Sequence, residues 1–222
     1  MLSVFSDIFT GPNIRYFLFG ILTTLEIAVA VVGISVIFGS VLAILRNYEK
    51  LVLGKLAGIY IEIFRNTPLL LWILVCVFTL RGGTPLLRGS LALTLYTSSV
   101  IAEIVRGGLN AIPKGQFEAG YSQGFTFVGM LRYIILPQCF QKIVPSLMSQ
   151  IVTTIKDTSF LGQVAITELF YRSKIALSSL SQSVTVSSAH VFTVFLFVAL
   201  IYFVINFTLS CIVRAMQKNA PA

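Results

Sequence analysis

From Phe19 to Leu45 the chain is apolar with Glu26 as its one charged residue, and from Ala189 to Val213 it carries no Asp, Glu, Lys or Arg. Each run exceeds the about 20 residues that a helix needs to cross the hydrocarbon core of a bilayer. Lipid offers the backbone no hydrogen bonds, so such runs must close their own N–H and C=O groups as helices. Composition points the same way: 11% of the 222 residues are charged and 56% are hydrophobic, against roughly 25% charged in a soluble domain. Too few charged side chains remain to cover a water-facing surface. This excludes an ordinary soluble enzyme and predicts an all-α integral membrane protein, a single transmembrane domain over residues 1–222.

The pattern predicts about five spans, at 19–45, 56–80, 90–105, 144–166 and 189–213. A polar segment, 106–143, separates the third from the fourth, and a Ser/Thr-rich segment, 167–188, the fourth from the fifth. Five crossings put the termini on opposite sides. With the amino terminus outside, the basic residues Arg46, Lys50, Lys55, Lys114, Arg132, Lys142, Arg214 and Lys218 face the cytoplasm and Arg15, Arg81, Arg88, Arg172 and Lys174 the exterior. That is the sense of the positive-inside rule, and it makes the 106–143 segment cytoplasmic. The first twenty residues lack the basic start and cleavage site of a removable signal peptide. Cys76, Cys139 and Cys211 are widely spaced beside a single His190, which argues against a disulfide framework or a metal cluster. The net charge of +8 comes from scattered basic residues, without the basic helix or aromatic platform that nucleic acid needs.

Besides Glu26, five charged groups, Glu62, Arg65, Glu103, Lys156 and Asp157, fall inside the spans. Each costs about 2.5–3.5 kcal/mol at a helix centre, so groups that persist there face a cavity or a partner. At about 1.5 Å per residue, Arg65 lies roughly 15 Å and Asp157 roughly 18 Å into their spans, near the midplane. Gln150, Thr153, Thr154 and Asp157 follow the i, i+3, i+4, i+7 spacing of one helix face, a candidate wall of a substrate path. Pro68, in Arg65-Asn66-Thr67-Pro68, brings no N–H and frees carbonyls that only a protein-lined cavity tolerates. An anion site at Arg65 and Thr67, a cation site at Asp157 and an amide at Gln150 fit a zwitterion such as a polar amino acid. Gln150 stands about 10.5 Å from Asp157 along the axis and suits an uncharged polar side chain such as glutamine's. A second reading makes these charges structural: Arg65 pairs with Glu62 or Glu103, and Lys156 braces another span. Glu26 suits an interface, and Trp72 and His190 suit packing or the aromatic belt.

In the polar segment, Pro113 and Gly124 bracket Lys114–Gln123 as the start and stop of a short helix. Phe117 and Tyr121 seat it, with Glu118 facing elsewhere. The run Gly115-Gln116-Phe117-Glu118-Ala119-Gly120-Tyr121-Ser122-Gln123-Gly124, followed by Ile134-Ile135-Leu136-Pro137-Gln138, closely resembles the E-A-A…G…I-x-L-P signature of membrane permease subunits of ATP-binding-cassette (ABC) importers. Phe64-Arg65-Asn66-Thr67-Pro68-Leu69-Leu70, Ala102-Glu103-Ile104-Val105-Arg106-Gly107-Gly108 and Lys156-Asp157-Thr158-Ser159 resemble that family's polar amino acid branch, the histidine, glutamine and arginine permeases. Two positions depart: Gly120 stands where the family usually has its second alanine, and Asn66 where it usually has glycine.

The resemblance implies the type I ABC importer permease fold in a bacterial plasma membrane, with 114–123 as the coupling helix. Two ATPase subunits, a second copy or sister permease and an extracytoplasmic solute-binding protein would be its partners, and Gly115, Glu118, Ala119, Gly120 and Gly124 its ATPase contact. ATP and Mg would sit on the ATPase subunits, since this chain has no G-x-x-x-x-G-K-[ST] loop and no cofactor of its own. Arg65, Thr67, Glu103, Gln150, Thr154 and Asp157 would hold the cargo. Other readings to be tested are a proton-coupled carrier or channel using Glu62, Glu103 and Asp157, and an importer of an osmolyte or opine-like solute.

Overall fold

The computed structural model describes residues 2–48, 51–182 and 184–218. Glu49 and Lys50, at the expected end of the first span, lie outside the described residues. Those described form α1 (Leu2–Ile8), α2 (Gly11–Tyr48), α3 (Val52–Arg65), α4 (Leu69–Thr79), α5 (Pro85–Asn110), α6 (Lys114–Ser122) and α7 (Phe127–Met130). A π-helical turn, Leu131–Ile135, leads into α8 (Leu136–Asp157); a 3-10 helix, Thr158–Val164, precedes α9 (Leu169–Leu180) and α10 (Ser188–Lys218).

α2 and α10 are each long and apolar enough to cross a membrane alone. Their exposed hydroxyls bond inward, Thr23 to the Phe19 carbonyl and Thr208 to that of Val204, one turn back in each case. α5 and α8 hold 26 and 22 residues, enough length for the hydrocarbon core at about 1.5 Å per residue. They are more polar, and Thr94, Thr97, Ser98 and Ser99 of α5 are buried.

The stretch 56–80, expected as one span, is two helices, α3 and α4, meeting at 103°. Pro68 offers no N–H and disfavours a helical residue before it. The side chains at the break turn back onto the last turns of α3: Asn66 Nδ2 donates at 2.8 Å to the Glu62 carbonyl, which also accepts the Asn66 backbone N–H, and Thr67 Oγ1 donates to the Ile63 carbonyl at 2.6 Å. Other expected boundaries also shift. α5 runs on to Asn110, and helix resumes at Phe127, so 106–143 is mostly helical. Pro145, expected at the start of a span, lies inside α8, which ends at Asp157 and tightens into the 3-10 turn short of Ile166. The 167–188 segment, read as a polar connection, contains α9.

The fold divides into two compact units, to which α2, α5, α8 and α10 each contribute residues. One comprises residues up to Val31, Leu69–Leu93 and Ile151–Ile212. Its core packs Ile8, Phe17, Leu169, Ala176, Leu180, Val194 and Val198, with Phe197 edge-on to Phe9 and Phe17 at 4.8 and 5.4 Å. His190 is 7% exposed, and its Nδ1 accepts the Ser187 backbone N–H. A backbone N–H can only donate, so the ring proton sits on Nε2, 3.4 Å from Asp7 Oδ2. This is a helix-capping arrangement at the start of α10 that also ties down α1.

In the same unit Glu168 is fully buried as the N-cap of α9. Its carboxylate accepts from the N–H groups of Phe170 at 2.8 Å and Tyr171 at 2.7 Å and from the Tyr202 hydroxyl at 3.0 Å. The Leu169 N–H donates to Thr24 Oγ1 of α2. One carboxylate thus joins α9 to α10 beside a contact to α2.

The other unit comprises Val32–Pro68, Thr94–Gln150 and residues from Val213. Its core is the cluster of Leu42, Ile61, Ile101, Val105, Leu109, Met130, Ile135 and Cys139 with their neighbours. Gly39 lets α2 and α5 touch: a Cβ there would lie 2.7 Å from the Ser98 carbonyl oxygen, the small-residue packing common between membrane helices.

Glu168→Ala should leave two N–H groups without their acceptor, remove the carboxylate partner of the Tyr202 hydroxyl and destabilise the protein by about 2–4 kcal/mol. The measurement is the melting temperature in detergent, where Glu168→Gln, which keeps one acceptor oxygen, should fall between Ala and wild type.

Candidate functional site

Three groups of residues can bear function, and the first is α6. Pro113, at φ −58° and ψ 139°, is its N-cap, one position before the first helical residue. The helix ends in a Schellman motif: Phe125 N–H reaches the Gly120 carbonyl at 3.1 Å and Gly124 N–H that of Tyr121 at 2.9 Å. Gly124 adopts φ +80°, the left-handed conformation that favours glycine. Glycine at 120, in place of the family's usual alanine, also has a physical reason. Gly120 is the buried residue of α6, and a Cβ there would come within 2.9 Å of Met130 Sδ. The helix therefore seats by its backbone, leaving Gly115, Glu118, Ala119 and Tyr121 exposed. Phe117 packs toward Tyr48 of α2, with ring centroids 6.2 Å apart.

The second group is an ionic hub. Glu103 Oε1 accepts from Arg46 Nη1 and Arg106 Nε, each at 2.9 Å, while Oε2 accepts from Arg106 Nη2 at 2.9 Å and pairs with Arg65 Nη1 at 3.3 Å. Arg46 also reaches Glu62 at 2.7 Å, and Asn66 Nδ2 donates to the other Glu62 oxygen at 3.0 Å. One carboxylate of α5 thereby gathers guanidiniums from α2, α3 and α5. With three arginines against two glutamates, the hub keeps one net positive charge. Asn66, where glycine is usual in the family, both covers a carbonyl at the helix break and aims Glu62 at Arg46. The sequence marks Arg46 only as an orientation signal and Arg106 only as part of a motif; their place in the hub depends on α2 and α5 lying side by side.

The third group is the polar face of α8. Gln150 and Thr154 are buried one turn apart, Asp157 is half-buried at the helix end, and Thr153 and Lys156 are exposed. The expected site residues thus separate into Arg65 with Glu103, in contact, and Gln150, Thr154 and Asp157 along one helix. Thr67 turns back on its own helix at Ile63. Two residues that sequence reasoning passed over are Glu168 and Gln138. A lone acid directly before an apolar run was the available signal for Glu168 as a helix cap, whereas nothing in sequence foretold the partner of Gln138.

Residues 35–220 match the family described as "Binding-protein-dependent transport system inner membrane component". The chain is 32% identical over 217 residues to the "Probable glutamine ABC transporter permease protein GlnP" of Bacillus subtilis (strain 168), which covers 96% of this chain and 97% of that one. It is 36% identical over 211 residues to GlnM, of the same description and organism, covering 93% and 94%. The "Glutamate/aspartate import permease protein GltK" of Escherichia coli O157:H7 is 27% identical over 220 residues, covering 94% and 95%. A solved "amino acid ABC transporter with histidines" superposes with a TM-score of 0.80 at 28% identity, over 93% of this chain and 95% of that one. A MetNI methionine ABC transporter chain shares the fold, with a TM-score of 0.73 at 21% identity over 93% and 99%.

Removing Glu103 should destabilise this protein more than removing Glu62, because its side chain is 16% exposed against 54% and it faces three arginines. Glu103→Ala strands those charges at a cost of about 2–3 kcal/mol, toward the low end for a broken buried pair. Melting temperatures of the two alanine variants check the order.

Proposed function

Because this chain belongs to the binding-protein-dependent transport system inner membrane components, the permease subunits of ABC importers, we propose that it passes a glutamine-like amino acid inward on ATP hydrolysed by separate subunits. Amino acid import by an ABC permease is the activity its relatives share. The permease is not itself catalytic and carries no cofactor; ATP and Mg belong to the ATPase partners. The observation that carries the reading is α6, a nine-residue helix with a built start and stop, seated by Gly120 and exposed along Glu118 and Ala119.

Two ATPase subunits dock on α6 of two permease chains, this one and a second copy or a sister. A solute-binding protein delivers cargo to the opposite face. The chain spans the membrane five times, with the amino terminus outside and α6 in the cytoplasm, as the distribution of basic residues favours. Glutamine is the favoured cargo because the relatives at 32% and 36% identity are described as glutamine permeases and because an amide, Gln150, lines the polar face of α8.

Asp157 receives the α-ammonium of the cargo, and Gln150 and Thr154 face its side chain. Arg65 receives the α-carboxylate, and Thr67 joins it by turning its hydroxyl from the Ile63 carbonyl toward the cargo. Glu103 holds one guanidinium nitrogen of Arg65, whose side chain is 40% exposed, which leaves the other nitrogens to meet an anion. The charge left over in the hub gives a carboxylate reason to approach.

In proteoliposomes holding the assembled complex and its binding protein, glutamine uptake should require ATP and survive a protonophore. Uptake that a protonophore abolishes and ATP does not restore would instead mark a carrier titrating Glu62, Glu103 and Asp157. Asp157→Ala should lower uptake at least about tenfold, as expected for losing a charge-assisted hydrogen bond, and Gln150→Glu should shift preference toward cationic amino acids. Transport of an osmolyte with no response to glutamine would reassign the cargo.

A further inference from the structure

A short helix can move a membrane span only if something directional joins them. α6 rests on Met130 through the flat side of Gly120, an apolar contact that resists separation better than sliding. The covalent route from α6 to α8 passes through α7 and the π turn Leu131–Ile135. There the Leu136 N–H reaches back to the Leu131 carbonyl, five residues away, and Pro137 brings no N–H at all. A joint short of hydrogen bonds bends and absorbs displacement.

One side-chain contact bypasses it. Gln138 Nε2, in the first turn of α8, donates to Gln116 Oε1 of α6 at 3.0 Å and to the Ile134 carbonyl at 3.0 Å. A carbonyl oxygen only accepts, so the Ile134 contact fixes which end of the Gln138 amide is nitrogen. That in turn fixes the Gln116 atom as oxygen. Both hydrogens of the Gln138 amide are used, one to hold its own turn in the π region and one to hold α6. The amide is part-buried, where water competes poorly for the bond. Lys142, one turn further along α8, holds the Ala111 carbonyl just before α6 at 2.9 Å, so the start of α8 grips the helix at Gln116 and the chain leading into it.

We propose that Gln138 and Gln116 are positioning residues that carry displacement of α6 to α8, and so couple ATP hydrolysis to transport. This rests on the importer reading above but assigns a role that Asp157 and Gln150 do not share. Neither glutamine is among the residues proposed to hold cargo, and the contacts of Gln138 are to Gln116 and Ile134 of this chain. Losing the bond should leave assembly and hydrolysis in place and reduce the amino acid moved per ATP.

The test compares wild type with Gln138→Leu, Gln116→Leu and Gln116→Glu in the reconstituted complex, measuring ATPase co-purification, ATP hydrolysis and uptake per ATP. Gln116→Glu keeps an acceptor for the Gln138 amide. Both leucine variants should assemble and hydrolyse ATP while uptake per ATP falls about tenfold, the net worth of one hydrogen bond, and Gln116→Glu should restore it to near wild type. An unchanged ratio in either leucine variant overturns the proposal, as does a fall that Gln116→Glu shares. Loss of assembly in the leucine variants also overturns it, making the pair a folding contact. A wild-type complex that takes up no amino acid overturns the importer reading, and this one with it.

Discussion

Lipid supplies neither donor nor acceptor, so every backbone polar group of a membrane-spanning segment must find its partner in the protein. The α3–α4 break shows how far local geometry answers to that constraint. Helix α3 stops short of Pro68, and the Asn66 amide and the Thr67 hydroxyl turn back on carbonyls near its end. The same rule draws exposed threonines of α2 and α10 onto carbonyls one turn earlier. It makes Glu168, fully buried, a cap for α9 and an acceptor for Tyr202 at once.

Charges obey the constraint at longer range. Glu103 can lie mostly buried because arginines from three helices surround it. The hub is lopsided, with more guanidinium than carboxylate, and Arg65 is the most exposed of its three arginines. The carboxylate site proposed at Arg65 uses such a cation, held in place by a partner yet incompletely neutralised. The polar face of α8 is organised differently, with neutral groups buried first and the acid at the helix end.

Much of this was legible in sequence because the signals were local. The apolar runs of α2 and α10 announced their length, and Pro113 and Gly124 bounded α6 to within a residue. The i, i+3, i+4, i+7 spacing put Gln150, Thr154 and Asp157 on one helix. Four ordered motifs named the family that residues 35–220 match. Where local signals conflicted, the reading slipped. Pro145 looked like a start and lies inside α8; the serines and threonines of 167–188 looked like a connection and hid α9; Pro68 looked like a kink and marks a 103° turn.

Sequence by itself determined that the chain is helical, that lipid surrounds it and that a short bounded helix begins at Lys114, since hydropathy, proline and glycine act within a few residues of themselves. Tertiary structure alone decided which polar groups meet: that Glu103 binds Arg46 and Arg65, that Glu168 reaches Tyr202, and that Gln138 holds Gln116. Those pairs lie between 22 and 57 residues apart along the chain. A side chain's partner at such a separation is set by which helices pack together, and packing depends on the whole set of apolar surfaces at once.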